Sequence, residues 1–258
     1  MNFLKKLFGL DKHTSPTSEL DEKINQILKQ AAPYKRTAYI PITKSKTAEF
    51  STDSKFGGYP YLRHEEDWPV CPNCANHMQL FLQLDLEKIP TKKEEGLLQL
   101  FYCTNEEQDC EGTLESFFHF SEGYHSRIIK IEAPSVSIVP KIDTIFEEKI
   151  ITDWNAQDDY PHYEEYAELG IDFDYDLADV LEERNLLQTI QKDKLFGWPF
   201  WVQSIEYPND RKTGNRMELL FQIDSEDNIP FLFGDCGTAH LTQSPDDKNE
   251  MTFGWACY

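Results

Sequence analysis

The chain has 258 residues, 40% hydrophobic and 28% charged, which is too apolar for a disordered protein and long enough for one large core or two smaller ones. Its 46 acidic against 25 basic residues leave a net charge of −21, a field that repels phosphate backbones, argues against broad binding of DNA or RNA, and favours basic partners. Five Trp, 12 Tyr and 17 Phe suit a β-rich core, whereas six cysteines are too sparse for a disulfide scaffold.

Residues 1–10 are apolar but interrupted by Lys5 and Lys6, with no long apolar run and no small-residue cleavage site. They read as a docking or frayed terminus, neither a leader nor a membrane span, and the expected compartment is the cytoplasm. A helix follows, with Ser18 as its cap, Leu20, Ile24, Ile27, Leu28 and Ala31 as its apolar stripe, and Pro33 as its stop. From there to about residue 140 the pattern is mostly strand. Short apolar or aromatic runs at 37–42, 80–86, 97–103, 117–120, 128–131 and 136–139 are punctuated by Gly, Pro, Asn and Asp.

Residues 143–183 hold 15 acidic side chains and one basic, Lys149. Helical periodicity persists over 176–194 through Leu177, Val180, Leu181, Leu187 and Ile190, so part of this stretch reads as an acidic helix surface.

An internal repeat then organises the whole chain. Phe56-Gly57-Gly58-Tyr59-Pro60-Tyr61 is echoed by Phe196-Gly197-Trp198-Pro199-Phe200-Trp201, and Met78-Gln79-Leu80-Phe81-Leu82-Gln83-Leu84-Asp85 by Met217-Glu218-Leu219-Leu220-Phe221-Gln222-Ile223-Asp224. A proline (Pro90, Pro230) follows each time, and then apolar strand residues that end in a cysteine (Cys103, Cys236). Matched motifs in matched order indicate tandem duplication. The expected fold is therefore α+β: two similar β-rich halves, an N-terminal helix, and an acidic helical insertion between the repeats. The corresponding segments are 1–36 (tail and helix), 37–142 (first repeat), 143–194 (acidic connector) and 195–258 (second repeat). Gln83 and Gln222, with Asp85 and Asp224 beside them, either satisfy backbone groups in the core or line a groove between the halves.

Cys71-Pro72-Asn73-Cys74 is the strongest local signal, because two thiolates in a tight turn grip one side of a tetrahedral zinc ion. Cys103 and Cys110 supply the second pair once the strands return, with His77 and His64 as fallback ligands. The second repeat has Pro208, Asn209 and Asp210 in place of this motif, so the metal belongs to one half. A four-cysteine site leaves no open position for water and would staple the fold without catalysing.

Gly234-Asp235-Cys236-Gly237 with His240 invites a nucleophilic-cysteine reading, against which stands a plain glycine-flanked turn. In the acidic run, Trp154, Asp158, Asp159 and Tyr160 interleave aromatic rings with carboxylates, a combination that anchors Arg or Lys side chains. Phosphate-binding loops, a serine nucleophile elbow and a zincin motif are all missing from the sequence.

Several of these strings also carry a family likeness. Phe56-Gly57-Gly58-Tyr59-Pro60, Trp68-Pro69-Val70-Cys71-x-x-Cys74, Phe81-Leu82-Gln83-Leu84-Asp85 and Gly96-Leu97-Leu98-Gln99-Leu100-Phe101-Tyr102-Cys103 resemble the bacterial YwqG-like family. Asp158-Asp159-Tyr160-Pro161, Gly234-Asp235-Cys236-Gly237 and Trp255-Ala256-Cys257-Tyr258 fit it too, so the resemblance covers roughly residues 40–258. The skeleton is similar, more remotely, to the domain of eukaryotic programmed cell death protein 2, a dedicated chaperone for a basic ribosomal protein. The likeness implies a duplicated β-rich fold with a polypeptide-binding groove. YwqG-like proteins also resemble members of toxin and immunity neighbourhoods. The expectation is a non-catalytic acidic protein that holds a basic polypeptide, chaperone-like or toxin-neutralising. The alternative is an enzyme, a cysteine hydrolase or RNA-processing factor, working in the groove between the repeats.

Overall fold

A computed structural model describes residues 16–46, 51–63, 68–91, 94–132 and 145–258. The terminal residues 1–10, His64 and the expected strand at 136–139 lie outside the described residues.

Helix α1 (Pro16–Ala31) opens two residues before the expected cap Ser18, because a proline with its fixed φ is well suited to the first helical position. Its stripe is as the spacing requires: Ile24, Ile27 and Ala31 are buried, with Leu20 and Leu28 packed alongside. What the stripe meets is Tyr166, Ile171, Leu177 and Leu181 from the acidic part of the chain, forming a satellite core.

Among the described residues, ten strands form one antiparallel sheet. In chain order they are β1 (Arg36–Ser45), β2 (Lys55–Phe56), β3 (Gln79–Asp85), β4 (Leu97–Tyr102), β5 (Tyr124–Ile129), β6 (Lys149–Asp159), β7 (Lys194–Leu195), β8 (Glu218–Asp224), β9 (Thr238–Gln243) and β10 (Met251–Ala256). Their spatial order is β10-β9-β8-β7-β1-β6-β2-β3-β4-β5. The long β1–β6 pair occupies the centre, and a four-strand meander runs outward on each side of it.

The sheet curls until its two edges meet. Tyr124 on β5 hydrogen-bonds Thr252 on β10 (2.6 Å between the hydroxyls), and the Trp255 N–H donates to the Phe117 carbonyl at 3.0 Å. The result is a near-barrel, which shields both edges from pairing with other chains. Alternation sends Leu98, Leu100 and Tyr102 of β4, Ala239 and Leu241 of β9, and Met251 and Phe253 of β10 into the enclosed core. Phe81 and Tyr102 meet Phe231 and Phe233 there at centroid distances of 5.2–6.4 Å.

Two expectations are corrected. The acidic stretch is not chiefly a helical insertion: residues 149–159 build the central strand β6, and the helical portions are short, 3-10 turns at Tyr163–Tyr166 and Tyr175–Leu177 followed by α3 (Ala178–Glu183). Strand β6 holds its acidic residues because most of its side chains are exposed. Residues 117–120 form turns and not a strand, since Glu115 and Phe120 adopt positive φ (49° and 65°) and break the extended run on both sides.

The flanking meanders share their internal hydrogen bonding. Lys55 and Lys194 stand opposite Gln83 and Gln222 in the β2–β3 and β7–β8 pairs, and both β3 and β8 carry a register shift, at Leu80/Leu82 and Leu219/Phe221. The same offset separates Lys55 from Lys194 and Gln83 from Gln222. Phe56 therefore corresponds to Leu195, and Gly57-Gly58 to Phe196-Gly197, one residue away from the alignment suggested by matching the aromatic letters.

Candidate metal centre and acidic cleft

The turn after Pro69 is closed by backbone bonds: Cys71 N–H to the Asn76 carbonyl (2.9 Å), Ala75 N–H to the Cys71 carbonyl (2.9 Å) and Met78 N–H to the Pro69 carbonyl (3.0 Å). This points Cys71 and Cys74 at the end of β4, where Cys103 follows the last strand residue and Cys110 opens the short helix α2 (Cys110–Thr113). All four sulfurs lie within 4.8 Å of one another; Cys71 and Cys110 are 3.8 Å apart, Cys74 and Cys103 3.7 Å. Four sulfurs around a tetrahedral zinc at ~2.3 Å stand about 3.8 Å from each other. The cluster has the dimensions of such a site. His77 is instead drawn against Trp68, at 5.3 Å between ring centroids.

Local chemistry prepares the thiols unequally. Burial works against the Cys74 thiolate, but the Asn76 N–H and the neighbouring thiols outweigh it and hold this group below the usual thiol range. Burial pushes Cys103 up despite the Asn105 N–H, and likewise Cys110, despite the Asn73 amide 3.3 Å from its sulfur.

The second meander builds the same turn without sulfur. Asp210 N–H bonds the Asn215 carbonyl (2.8 Å), Gly214 N–H the Asp210 carbonyl (2.8 Å), and Met217 N–H the Pro208 carbonyl (2.9 Å). Asp210 stands where Cys71 does, accepting the N–H groups of Lys212 (2.7 Å) and Thr213 (3.0 Å). Thr213 replaces Cys74. Ser244, the residue after β9, replaces Cys103 and is the leading cause that holds Asp210 below the usual carboxylate range, with those two N–H groups adding to it. The pairing of Cys103 with Cys236 is thus corrected: Cys236 precedes β9, whereas Cys103 follows β4.

Gln83 and Gln222 are fully buried and do backbone work. Gln83 accepts from Tyr61 N–H (3.0 Å) and donates to the carbonyls of Ser51 and Asp53; Gln222 accepts from Phe200 N–H (2.8 Å) and donates to those of Ile190 and Lys192. Asp85, also buried, pairs with Lys88 at 2.7 Å, and Asp224 accepts from Thr238 at 2.7 Å. Asp159 is buried as well, accepting from Lys194 (2.9 Å), Trp198 N–H (2.7 Å) and Ile190 N–H (2.8 Å). A second buried pair, Lys55–Glu148 at 2.7 Å, serves the first meander. Of the acidic-aromatic set, Trp154 packs against Phe221 and Tyr160 against the α1 satellite core, leaving Asp158 exposed beside Lys35. Trp154, Asp158, Asp159 and Tyr160 thus each meet a different neighbour.

Cys236 and His240 are also kept apart chemically. Cys236 is exposed at φ 56°, while His240 is buried on β9 against Trp201, 4.9 Å between centroids. Burial, with the charges of His119 and Lys194, drives the His240 pKa down to about 3. No hydrogen bond joins the two among the described residues, so the arrangement lacks the base that an activated thiol needs.

Sequence reasoning missed a cleft of 530 Å³ beside the cysteine cluster. One wall is the segment from Cys103 to Glu111, and the other runs from Glu226 to Gly234. Glu106, Asp109, Glu111 and Glu226 line it together with Pro230, Phe231 and Leu232, and none of its described lining residues is basic. Glu111 is fixed by a relay in which Trp255 Nε1 donates to the Tyr102 hydroxyl (3.0 Å) and that hydroxyl donates to Glu111 (2.9 Å). Burial, helped by Asp109 and Glu106, raises the Glu111 pKa above the usual range. A second hollow of 590 Å³ is nearer charge balance, Arg36 and Lys248 facing Glu94, Glu218 and Asp246, with Lys248 and Glu94 paired at 3.2 Å. No helix among the described residues is long and apolar enough to cross a membrane.

A ten-stranded antiparallel near-barrel with a clustered cysteine quartet on one flank defines the class of protein. Residues 54–258 match the model of the family described as "Domain of unknown function (DUF1963)", and the chain belongs to that family. It is similar to "Uncharacterized protein YpfL" of Salmonella typhimurium, 35% identical over 68 residues, which are 26% of this chain and 15% of that relative's length.

Proposed function

We propose that this protein is a non-catalytic acidic binding protein, stapled by one structural zinc ion, that holds a basic polypeptide segment in a chaperone-like or toxin-neutralising role. The observation that carries the reading is the cleft lined by four carboxylates, without a described basic residue, on a chain of net charge −21. Such a field speeds encounter with a basic partner and suppresses acidic ones. Zinc is supported by the sulfur spacing and by the corresponding turn, where Asp210 accepts the Lys212 and Thr213 N–H groups and Thr213 accepts the Asn215 N–H in place of sulfur. A closed quartet would fix the fold and leave no position for a reacting water. The matched hydrogen bonds of the two meanders support a tandem duplication, and the ordered motifs support a YwqG-like branch of the family. Six free thiols suit a reducing compartment, and we place the protein in the cytoplasm.

Native mass spectrometry of the protein isolated from its host, with metal analysis on the same sample, tests both parts. One zinc and a co-purifying basic polypeptide are expected. A partner that is acidic or lipidic overturns the binding reading, and metal-free protein with intact thiols overturns the zinc.

A further inference from the structure

The cleft and the cysteine quartet share a wall. Cys103 and Cys110 bracket the segment that carries Glu106 and Asp109, and Glu111 follows directly. Two backbone bonds fold this segment, Asp109 N–H to the Glu106 carbonyl (3.0 Å) and Cys110 N–H to the Asn105 carbonyl (3.2 Å). One side chain ties it to the opposite turn: Asn73 donates to the Gln108 carbonyl at 3.0 Å and to the Cys110 sulfur at 3.3 Å. The wall has few apolar contacts of its own, since residues 106–109 are exposed. Its position is set at both ends by cysteines. The facing wall is different in kind. Phe231 rests on Phe81 and Tyr102 of the core, and Leu232 beside it is 46% exposed.

We propose that this cleft seats an arginine-bearing segment of the basic polypeptide, and that metal held by the four cysteines is what keeps its acidic wall in place. The inference rests on the binding function proposed above and gives it a location and a switch. Arginine fits better than lysine. Its planar guanidinium is weakly hydrated, lies flat on an aromatic ring such as Phe231, and offers forked donors to carboxylates on either side. Its aliphatic stem covers the exposed Leu232. The four carboxylates are drawn from both walls, so a bound cation is met from two directions. Loss of the metal frees Cys103 and Cys110 to move independently and disperses Glu106 and Asp109, while Tyr102 still holds Glu111.

Fluorescence anisotropy on the full-length, zinc-loaded chain tests this with a labelled peptide of alternating Arg and Gly, its Lys counterpart, and a Glu peptide as control. Glu226→Lys and Glu106→Lys alter exposed side chains on opposite walls; Glu218→Lys makes the same charge change at the other hollow. The Arg peptide is expected to bind more tightly than the Lys peptide. Each cleft reversal should weaken it at least tenfold, and Glu218→Lys less than threefold. Chelation should abolish binding and re-addition of zinc restore it, with the far-UV circular dichroism of the sheet retained throughout. Equal weakening by all three reversals, or none by the cleft pair, overturns the location while leaving the general binding function standing. Affinity unchanged by chelation overturns the switch. Failure of every basic peptide to bind the zinc-loaded protein overturns both the cleft and the broader function.

Discussion

His240 and Gln99 occupy equivalent places, each opposite a buried glutamine, Gln222 and Gln83. Gln99 is neutral at every pH and donates to the Tyr61 carbonyl at 2.8 Å. His240 carries a titratable ring into the corresponding buried position, where its Nε2 has no hydrogen-bond partner among the described residues. Unfolded, that ring takes a proton near its ordinary pKa of about 6.5; folded, it resists until about 3. The unfolded state therefore binds more protons between those values, and this stability contribution, complete above pH 6.5, is lost as pH falls through the window. His240→Gln should remove the dependence, losing about 2 kcal/mol less than the parent between pH 7 and pH 5. Urea unfolding at the two pH values measures it. A second residue-scale consequence concerns Lys194, whose charge is matched by Asp159 in a site closed to water. Burial brings its pKa down to about 8 even with the carboxylate beside it. Lys194→Met leaves Asp159 buried with only two N–H donors and should cost roughly 3–5 kcal/mol, read as a lowered denaturant midpoint.

At the scale of elements, the two turns near Cys71 and Asp210 show one backbone solution stabilised in two ways. The second is completed by carboxylate, hydroxyl and N–H groups. The first presents sulfur, a weak acceptor, at the same positions, so its order depends more on what the thiols bind. Chelating the metal should lower the thermal midpoint by several degrees, with hydrogen exchange rising first in residues 71–76 and 103–111. The 208–217 turn should stay protected in the same exchange experiment; equal deprotection of both turns would contradict a one-sided metal. The cysteine spacing was legible because CxxC is a local signal. The replacement set was only half legible. Asp210 could be aligned by neighbouring motifs, whereas Ser244 is matched to Cys103 solely by strand register.

Across the whole molecule, the charge is carried largely on surfaces that the fold has no use for internally. The acidic residues of β6 are mostly exposed, and among the described residues only six acidic side chains, Asp85, Glu148, Asp159, Glu165, Asp193 and Asp210, are buried. Association with a basic peptide should therefore slow by an order of magnitude or more between low salt and about 0.5 M salt, as the Debye length contracts to a few ångströms. Stopped-flow association rates at four salt concentrations check this, and a salt-independent on-rate would mean the field plays no part in recognition.

Local pattern was sufficient for the α1 stripe, for the buried runs that became β3 and β4, and for the cysteine spacing. Each depends on residues close in sequence, whose periodicity reports burial directly. Tertiary structure decided the rest. Strand β6 lacks alternation and is rich in Asp, so nothing local marks it as the sheet's centre; its pairing with β1 on one side and β2 on the other, both far earlier in the chain, makes it a strand. The inward turn of Gln83 and Gln222 was decided by backbone donors and acceptors on other segments. The cleft exists because the sheet curls, bringing the 226–234 loop against the segment between Cys103 and Cys110. Pairing across long separations carries no periodic signature, which is why strand composition could be read from the chain and the binding surface could not.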